Sequence, residues 1–364
     1  MKRWKIPLHR STIGKAEIAA VVKTMRAGQI TMGENVRKFE EAWEKRLNRH
    51  CVMVNSGSSA NLLMWAVLTS PLRDYKMTAG DEVIVPALCW STTVWPIVQH
   101  KLIPVFVDIT ENLTMDKEKA MQAKTFKTAA LVSLHLYGRP QHYPTSVPVV
   151  EDSCETDGLV TSPMASLSFY FSHHISSGEG GMLVCEDADD ADLARIIRAH
   201  GWLRDVSKAT RLRALTMTHT PDWMDDRFTF VHAGYNLRPT EMAAAIGLEQ
   251  MKKLPKMSAQ RVRAAKLIDP SREWHYTPFG IPFLCRSQEH RSEVLEKLRA
   301  KRIETRPILC GNMAEQPGMK YYQHRVESDE VARRVARCGF SVGCAGLTDS
   351  EAKWLGKTIR EAMA

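Results

Sequence analysis

The chain has 364 residues, 44% of them hydrophobic and 25% charged, with a formal net charge of +9. That composition supports a real apolar core, so a stapled mini-protein and a disordered chain are both excluded. The positive charge is scattered, with no run of five or more basic residues, which speaks against a nucleic-acid partner and fits an anionic small molecule.

In chain order, the opening residues Met1 to Pro7 put no apolar run behind their charges, so no signal peptide is read and a cytoplasmic location is expected. Val36, Phe39, Trp43 and Leu47 recur at helical spacing and predict an amphipathic helix over Glu34–Arg49. β-Branched runs then predict strands at Cys51–Val54, Glu82–Val85, Ile103–Asp108, Ala129–Tyr137, Val147–Glu151, Leu167–Phe171 and Gly181–Cys185. Helical patterns at Ser59–Leu68, Thr93–His100 and Met115–Ala123 fall between the earlier strands. Such alternation implies a largely parallel sheet covered on both faces. The most apolar window, Val83–Val98, is broken by Pro86 and Pro96 and is too short to span a bilayer, so no membrane partner is expected.

The stretch from Gly138 to Ser146 is short for a parallel crossover, so a loop is expected where such folds usually carry a helix. Helices are predicted at Ala191–His200 and Arg238–Lys253. A shorter α/β pattern follows, with strands at Phe279–Leu284 and Ile303–Pro307 and helices at Glu289–Lys301 and Ser350–Met363. The domain boundary is placed in or just after the connecting helix, giving a large domain over 1–255 and a small one over 256–364. The eight cysteines form no CxxC pair, and none lies between 186 and 284. A reducing compartment is expected, with no zinc ribbon, no cysteine-held cluster and no metal.

Three stretches carry chemistry. Asn55-Ser56-Gly57-Ser58-Ser59-Ala60-Asn61 joins a strand to a helix; its small residues let backbone N–H groups and the helix N-terminus close on an anion, although an ordinary N-cap reads the same way. Asp152 ends a predicted strand, where a carboxylate faces the usual ligand crevice and can pair with a protonated heteroaromatic nitrogen, or cap a helix. Ser168-Phe169-Tyr170-Phe171-Ser172-His173-His174-Ile175, followed by Gly178-Glu179-Gly180-Gly181, puts two adjacent histidines on a chain leaving a strand, a place where core packing is the plainer alternative.

Taken together and in this order, these stretches resemble the DegT/StrS family of sugar aminotransferases, which are pyridoxal-phosphate (PLP) enzymes of fold type I. The resemblance runs from Ile30-Thr31-Met32-Gly33 to Arg306-Pro307-Ile308 and beyond. It implies an aspartate-aminotransferase-like α/β large domain with a mostly parallel seven-stranded sheet, plus a smaller C-terminal α/β domain. In that family a lysine forms a Schiff base with the cofactor at the position held here by His173, and this chain has no lysine anywhere from Thr128 to Ser207. An imidazole cannot make that bond, so the cofactor is expected to be held non-covalently. It can still move protons when its pKa lies near the working pH.

This exchange resembles the 3-dehydratases of nucleotide-linked 4-keto-6-deoxy sugars, which use pyridoxamine phosphate (PMP). One type acts on CDP-linked sugars and carries a 2Fe–2S cluster on cysteines shortly after this motif, which the cysteine gap disfavours. The type acting on GDP-linked 4-keto-6-deoxymannose has no cluster. Its pattern is echoed by Arg198–Trp202, Gly234–Met242 and Arg306–Asn312. The resemblance therefore implies a lyase that removes the sugar's C3 hydroxyl, with PMP regenerated from L-glutamate. By position, His173 and Glu155 are the catalytic candidates. Gly57, Ser58 and Ser168 would hold the phosphate, Trp90 would stack on the ring and Asp152 would meet its nitrogen. Asn236 would reach the phosphate of the other subunit of a homodimer. The alternatives are a sugar aminotransferase whose lysine was replaced and a non-catalytic PLP-fold binding protein.

Overall fold

The computed structural model describes residues 4–221, 223–225 and 228–364. Helices α1 (Lys15–Arg26) and α2 (Glu34–Leu47) lead into β1 (His50–Val54), α3 (Gly57–Leu68), β2 (Glu82–Pro86), α4 (Ser91–Gln99) and β3 (Ile103–Val107). Next come α5 (Lys117–Gln122), β4 (Thr128–Leu134), β5 (Val149–Asp152), β6 (Met164–Ser168), β7 (Gly181–Cys185), α6 (Ala188–Arg198) and α7 (Lys208–Met217). The long α8 (Glu241–Ile268) is followed by β8 (Gly280–Leu284), α9 (Gln288–Ala300), β9 (Thr305–Arg306), β10 (Arg325–Val326), α10 (Glu330–Cys338), β11 (Gly339–Gly343) and α11 (Asp349–Met363).

The main sheet has the order β1-β7-β6-β5-β4-β2-β3-β10, and β7 alone runs antiparallel to its neighbours. All seven expected strands are present, and β10 adds an eighth. It is two residues long, far too short for a periodicity to announce it. Alternate residues along each strand enter different cores. Val52, Val54, Val83 and Val85 pack with α3, α4 and α6 on one face. Cys51 and Met53 pack with Phe39 and Trp43 of α2 on the other, and Ile84 packs there with Ala120 of α5.

Two strands differ from the expected spans by three residues at one end or both. The strand expected at Leu167–Phe171 lies at Met164–Ser168, beginning just after Pro163, because its partner β5 ends at Asp152 and pairs only with Met164 to Ser166. β4 stops at Leu134 rather than Tyr137: Leu136–Gly138 form a single 3₁₀ turn in which Tyr137 has φ +54°. Gly138 follows at φ +82°, and a methyl group there would meet the Thr277 carbonyl oxygen at 2.2 Å. The β4–β5 link is consequently longer than expected, residues 135–148, and carries no α-helix. It is tied down instead by buried polar groups. The Gln141 N–H donates to Nδ1 of His135, whose Nε2 lies 3.3 Å from Glu151 Oε1. Glu151 also accepts from the backbone of Thr161 and Ser162 on the next link.

A second, antiparallel sheet, β8-β11-β9, packs with the C-terminal half of α8, with α9 and with α11. The N-terminal segment belongs to this core, with Ile6 fully buried in it and bridged to Ile303. All eight cysteines are free. Among the described residues, no helix is long and apolar enough to cross a membrane.

Candidate active site

The C-terminal edge of the parallel strands gathers four loops: those after β1, β2, β5 and β6. This is the usual ligand crevice of such sheets. After β1, Ser56 caps α3 by accepting from the Ser59 N–H at 3.0 Å, which leaves the Gly57 and Ser58 backbone at the positive end of the helix. A methyl group at Gly57 would lie 2.6 Å from Ser168 Cβ and 3.1 Å from Cys154 Sγ. Only glycine lets this turn press against the end of β6. The result is a cradle of backbone amides and two hydroxyls suited to a phosphate.

The loop after β2 brings Trp90, half-exposed, to the start of α4. Its near neighbours fix it to the same place: Thr92 accepts from Ser58 Oγ at 3.3 Å, and Thr93 Oγ1 donates to Asp152 Oδ2 at 2.7 Å. Asp152 is 3% exposed at the end of β5. It also accepts from Asn61 Nδ2 at 3.0 Å and from the Cys154 N–H at 3.2 Å. These donors are all neutral, so among the described residues its carboxylate is buried without a hydrogen-bonded protein cation. A bound protonated ring nitrogen would supply one.

His173 lies on the turn after β6. Its Nδ1 is 2.6 Å from the Cys154 carbonyl oxygen. That oxygen can only accept, so Nδ1 carries the proton and Nε2 keeps its lone pair. The ring lies 4.9 Å from the Phe279 ring and 6.0 Å from Tyr170. Burial lowers its pKa to about 4; the Cys154 carbonyl pulls the other way, and the Arg261 and Arg306 guanidiniums add to the fall. This differs from the near-neutral value expected from the sequence, because the site is closed by the small sheet and faces two arginines. The imidazole is thus a free base at neutral pH and a strong acid once it has taken up a proton. His174 is buried, with Nε2 3.2 Å from the Thr277 carbonyl.

Glu155 does not hydrogen-bond His173 among the described residues. Its Oε2 accepts from the Tyr137 N–H at 2.7 Å, and Oε1 meets Arg306 Nη2 at 3.4 Å. The left-handed Tyr137 backbone is what aims that N–H. Burial pushes the Glu155 carboxyl up to about 7, against the pull of Arg306 and of the Tyr137 amide. Between its ordinary 4.5 and about 7 the folded chain therefore binds a proton that the unfolded chain has released. The stabilisation from that proton is complete below the lower value and lost as pH rises through the upper one. Thermal melts should show this fall in the wild type and its absence in Glu155→Gln. Equal slopes for the two proteins across that window would refute it.

The structure thus brings Gly57, Ser58, Trp90, Asp152, Ser168, His173 and Glu155 to one crevice. Asn236 stands apart: it is exposed, and its Oδ1 accepts from Arg238 Nε in its own loop. That loop is still tied to the phosphate turn, since the Asn55 N–H donates to the Leu237 carbonyl at 3.0 Å. Sequence reasoning missed Thr93, Phe279 and Arg261 as parts of the site. Thr93 follows Trp90 by three residues on a helix start, a spacing that could have found it. Arg261 lies in the C-terminal half of α8, and nothing in the sequence around it marks it.

The fold matches PLP-dependent aminotransferase-like structures. The chain belongs to the DegT/DnrJ/EryC1/StrS aminotransferase family, which it matches over residues 11–353. It is 34% identical over 370 residues to GDP-4-keto-6-deoxy-D-mannose 3-dehydratase of Escherichia coli O55:H7, covering 93% of this chain and 94% of that one. The solved structure of the E. coli GDP-4-keto-6-deoxy-D-mannose 3-dehydratase with bound hydrated PLP superimposes with a TM-score of 0.89 at 31% identity, over 100% of both chains. A structure of GDP-4-keto-6-deoxymannose 3-dehydratase with a trapped PLP–glutamate geminal diamine matches with a TM-score of 0.86 at 30% identity, over 98% of this chain and 100% of that one.

Proposed function

We propose that this chain is a PMP-dependent 3-dehydratase of a nucleotide-linked 4-keto-6-deoxy sugar, of the GDP-4-keto-6-deoxymannose type, recharged by L-glutamate. The observation that carries this reading is His173: a free-base imidazole, pinned through Nδ1–H to the Cys154 carbonyl, at the position where the aminotransferases of the family hold a lysine. The crevice fits the cofactor, because its glycine-walled cradle suits a phosphate and its buried, cation-free Asp152 suits a pyridinium.

When bound, the cofactor supplies an amine for the sugar's 4-keto group and a protonated ring that takes up an electron pair. Gly57, Ser58 and Ser168 hold its phosphate, Trp90 covers a ring face and Asp152 keeps the ring nitrogen protonated. Nε2 of His173, whose lone pair is free, would be the base that takes up the proton released beside the cofactor's amine. The imidazolium would then give that proton to the C3 hydroxyl as its C–O bond breaks, so that water leaves. His173 moves the proton again when glutamate restores the amine. Glu155 and Arg306 line the side of the site next to Tyr137 and orient the substrate.

The chain divides for this work into a cofactor-binding part, 1–255, and a small part, 256–364, which brings Phe279 and Arg306 over His173. It acts in the cytoplasm as a homodimer, in which Asn236 of the partner subunit completes the phosphate site. The test is to incubate the protein with PLP, glutamate and GDP-4-keto-6-deoxymannose and to weigh the sugar product. Loss of the C3 oxygen supports the reading. A 4-amino sugar would make the chain an aminotransferase, and no change in cofactor or sugar would make it a binding protein. The dimer is tested by mixing His173→Ala and Asn236→Ala proteins, each inactive alone. Redistribution should restore about a quarter of wild-type activity if the site is shared, and a fully active monomer would refute sharing.

A further inference from the structure

Arg261 projects from α8 into the body of the protein and is 4% exposed. It makes no ion pair among the described residues. Its guanidinium instead spans two strips of backbone. Nη2 donates to the carbonyls of Ser172 at 3.4 Å and His173 at 3.0 Å. Nη1 donates to those of Pro278 at 3.4 Å and Phe279 at 3.0 Å. The planar fork thus staples the histidine turn to the segment entering β8. That segment supplies the Phe279 ring lying against His173 and the Thr277 carbonyl facing His174. A lysine has one donor atom and cannot span both strips.

We propose that Arg261 is a positioning residue for His173, holding the imidazole between the Cys154 carbonyl and the Phe279 ring. The proposal rests on the reading of His173 as the proton-moving group. The positive charge is what makes arginine more than a clamp here. The charged and titratable groups acting on His173 are Arg261 from α8, Arg306 from β9 and His9 from the N-terminal segment, with Tyr170 and His174 beside it in its own stretch. Glu155 is occupied with Arg306. His9 has both ring nitrogens buried without a partner, and burial lowers its pKa to about 4, with Arg261 adding to the fall, so it too is neutral. Arg261 is left as a buried cation beside His173 with no ion pair among the described residues; the carboxylate that acts on it, Asp157, is taken up by the hydroxyls of Ser258 and Thr277. A proton arriving on His173 is therefore repelled and passed on.

The experiment follows the His173 ring by nitrogen NMR of histidine-labelled protein, assigned by its loss in His173→Ala, alongside the pH profile of kcat/KM. In the wild type the ring should be the Nδ1–H tautomer and titrate below the ordinary histidine range. Titration near 6.5 in the wild type would overturn the proposal before any variant is made. In Arg261→Gln the ring pKa and the acid limb of the profile should rise together by about one unit, and kcat should fall at least roughly tenfold. In Arg261→Lys the ring pKa should stay near the wild-type value, while kcat falls because the fork is lost. Folded variants with unchanged ring pKa and unchanged kcat would refute the proposal. So would a lysine variant whose ring pKa rises as far as that of the glutamine variant. Full dehydration by His173→Ala would instead sink the reading of His173 itself, and the ring titrations would still report on Arg261.

Discussion

His173→Ala should fold and bind the cofactor yet lose dehydration by about 10²–10⁴-fold, the range that a positioned acid–base group contributes. The glutamate half-reaction should fall with it, because the same Nε2 moves the proton in both. His173→Lys makes the sharper contrast. An amine then replaces the imidazole within reach of the cofactor's aldehyde, so a covalent lysine–cofactor adduct should form, visible by its absorption and reducible by borohydride. A lysine so engaged is not a free base, and dehydration should stay low. Near-normal turnover by His173→Ala would assign the proton to another group, with His174 the first to test. That outcome conflicts with the burial of His174 and with its hydrogen bond to Thr277.

Asp152→Asn should cut activity on the order of 10²–10³-fold, since a neutral amide cannot hold a ring nitrogen protonated. Asparagine is preferable to alanine here because Asp152 accepts from Asn61, Thr93 and the Cys154 N–H. Alanine would leave those buried donors unpaired and mix a folding defect into the result. Even asparagine turns its own donor toward one of them, at a cost of about 1–3 kcal/mol. The two effects separate by measurement. The wild type should gain thermal stability when cofactor is added, because the bound cation meets a buried carboxylate. The variant should gain much less. Wild-type activity in a well-folded Asp152→Asn would remove Asp152 from the site.

Most strands of the main sheet were legible because they carry β-branched residues bounded by turn formers; β6, Met-Ala-Ser-Leu-Ser, has none and lies three residues from its expected place. Their ends were less so, since apolar character continues from Leu167 into Phe169 after the pairing has stopped. Helix α1 left little trace: Ile18, Val22 and Met25 are exposed, and its buried residues include the polar Glu17 and Thr24. The cofactor cradle and Asp152 could be read because small residues and a strand-end carboxylate are local patterns. The surroundings of His173 could not. Cys154, Arg261, Phe279 and Arg306 come together only through the fold. The downward shift of the imidazole comes from the burial that this meeting imposes, with the two arginines adding to it against the pull of the Cys154 carbonyl, and from no single stretch.

Helix α8 contributes to both halves of the molecule. Near its start Gly247 lies against the Phe39 ring, and near its end Ala264, Ala265 and Ile268 enter the core of the small sheet with Ile6. The two chain ends also meet there, through the pairing of Arg10 with Glu351. Neither half can therefore melt while the other stays whole, because one continuous rod and the first residues of the chain would have to be torn from a surviving core. Heating should give one calorimetric transition rather than two. Cleaving the first dozen residues should loosen the C-terminal third of the chain, although almost the entire sequence lies between them.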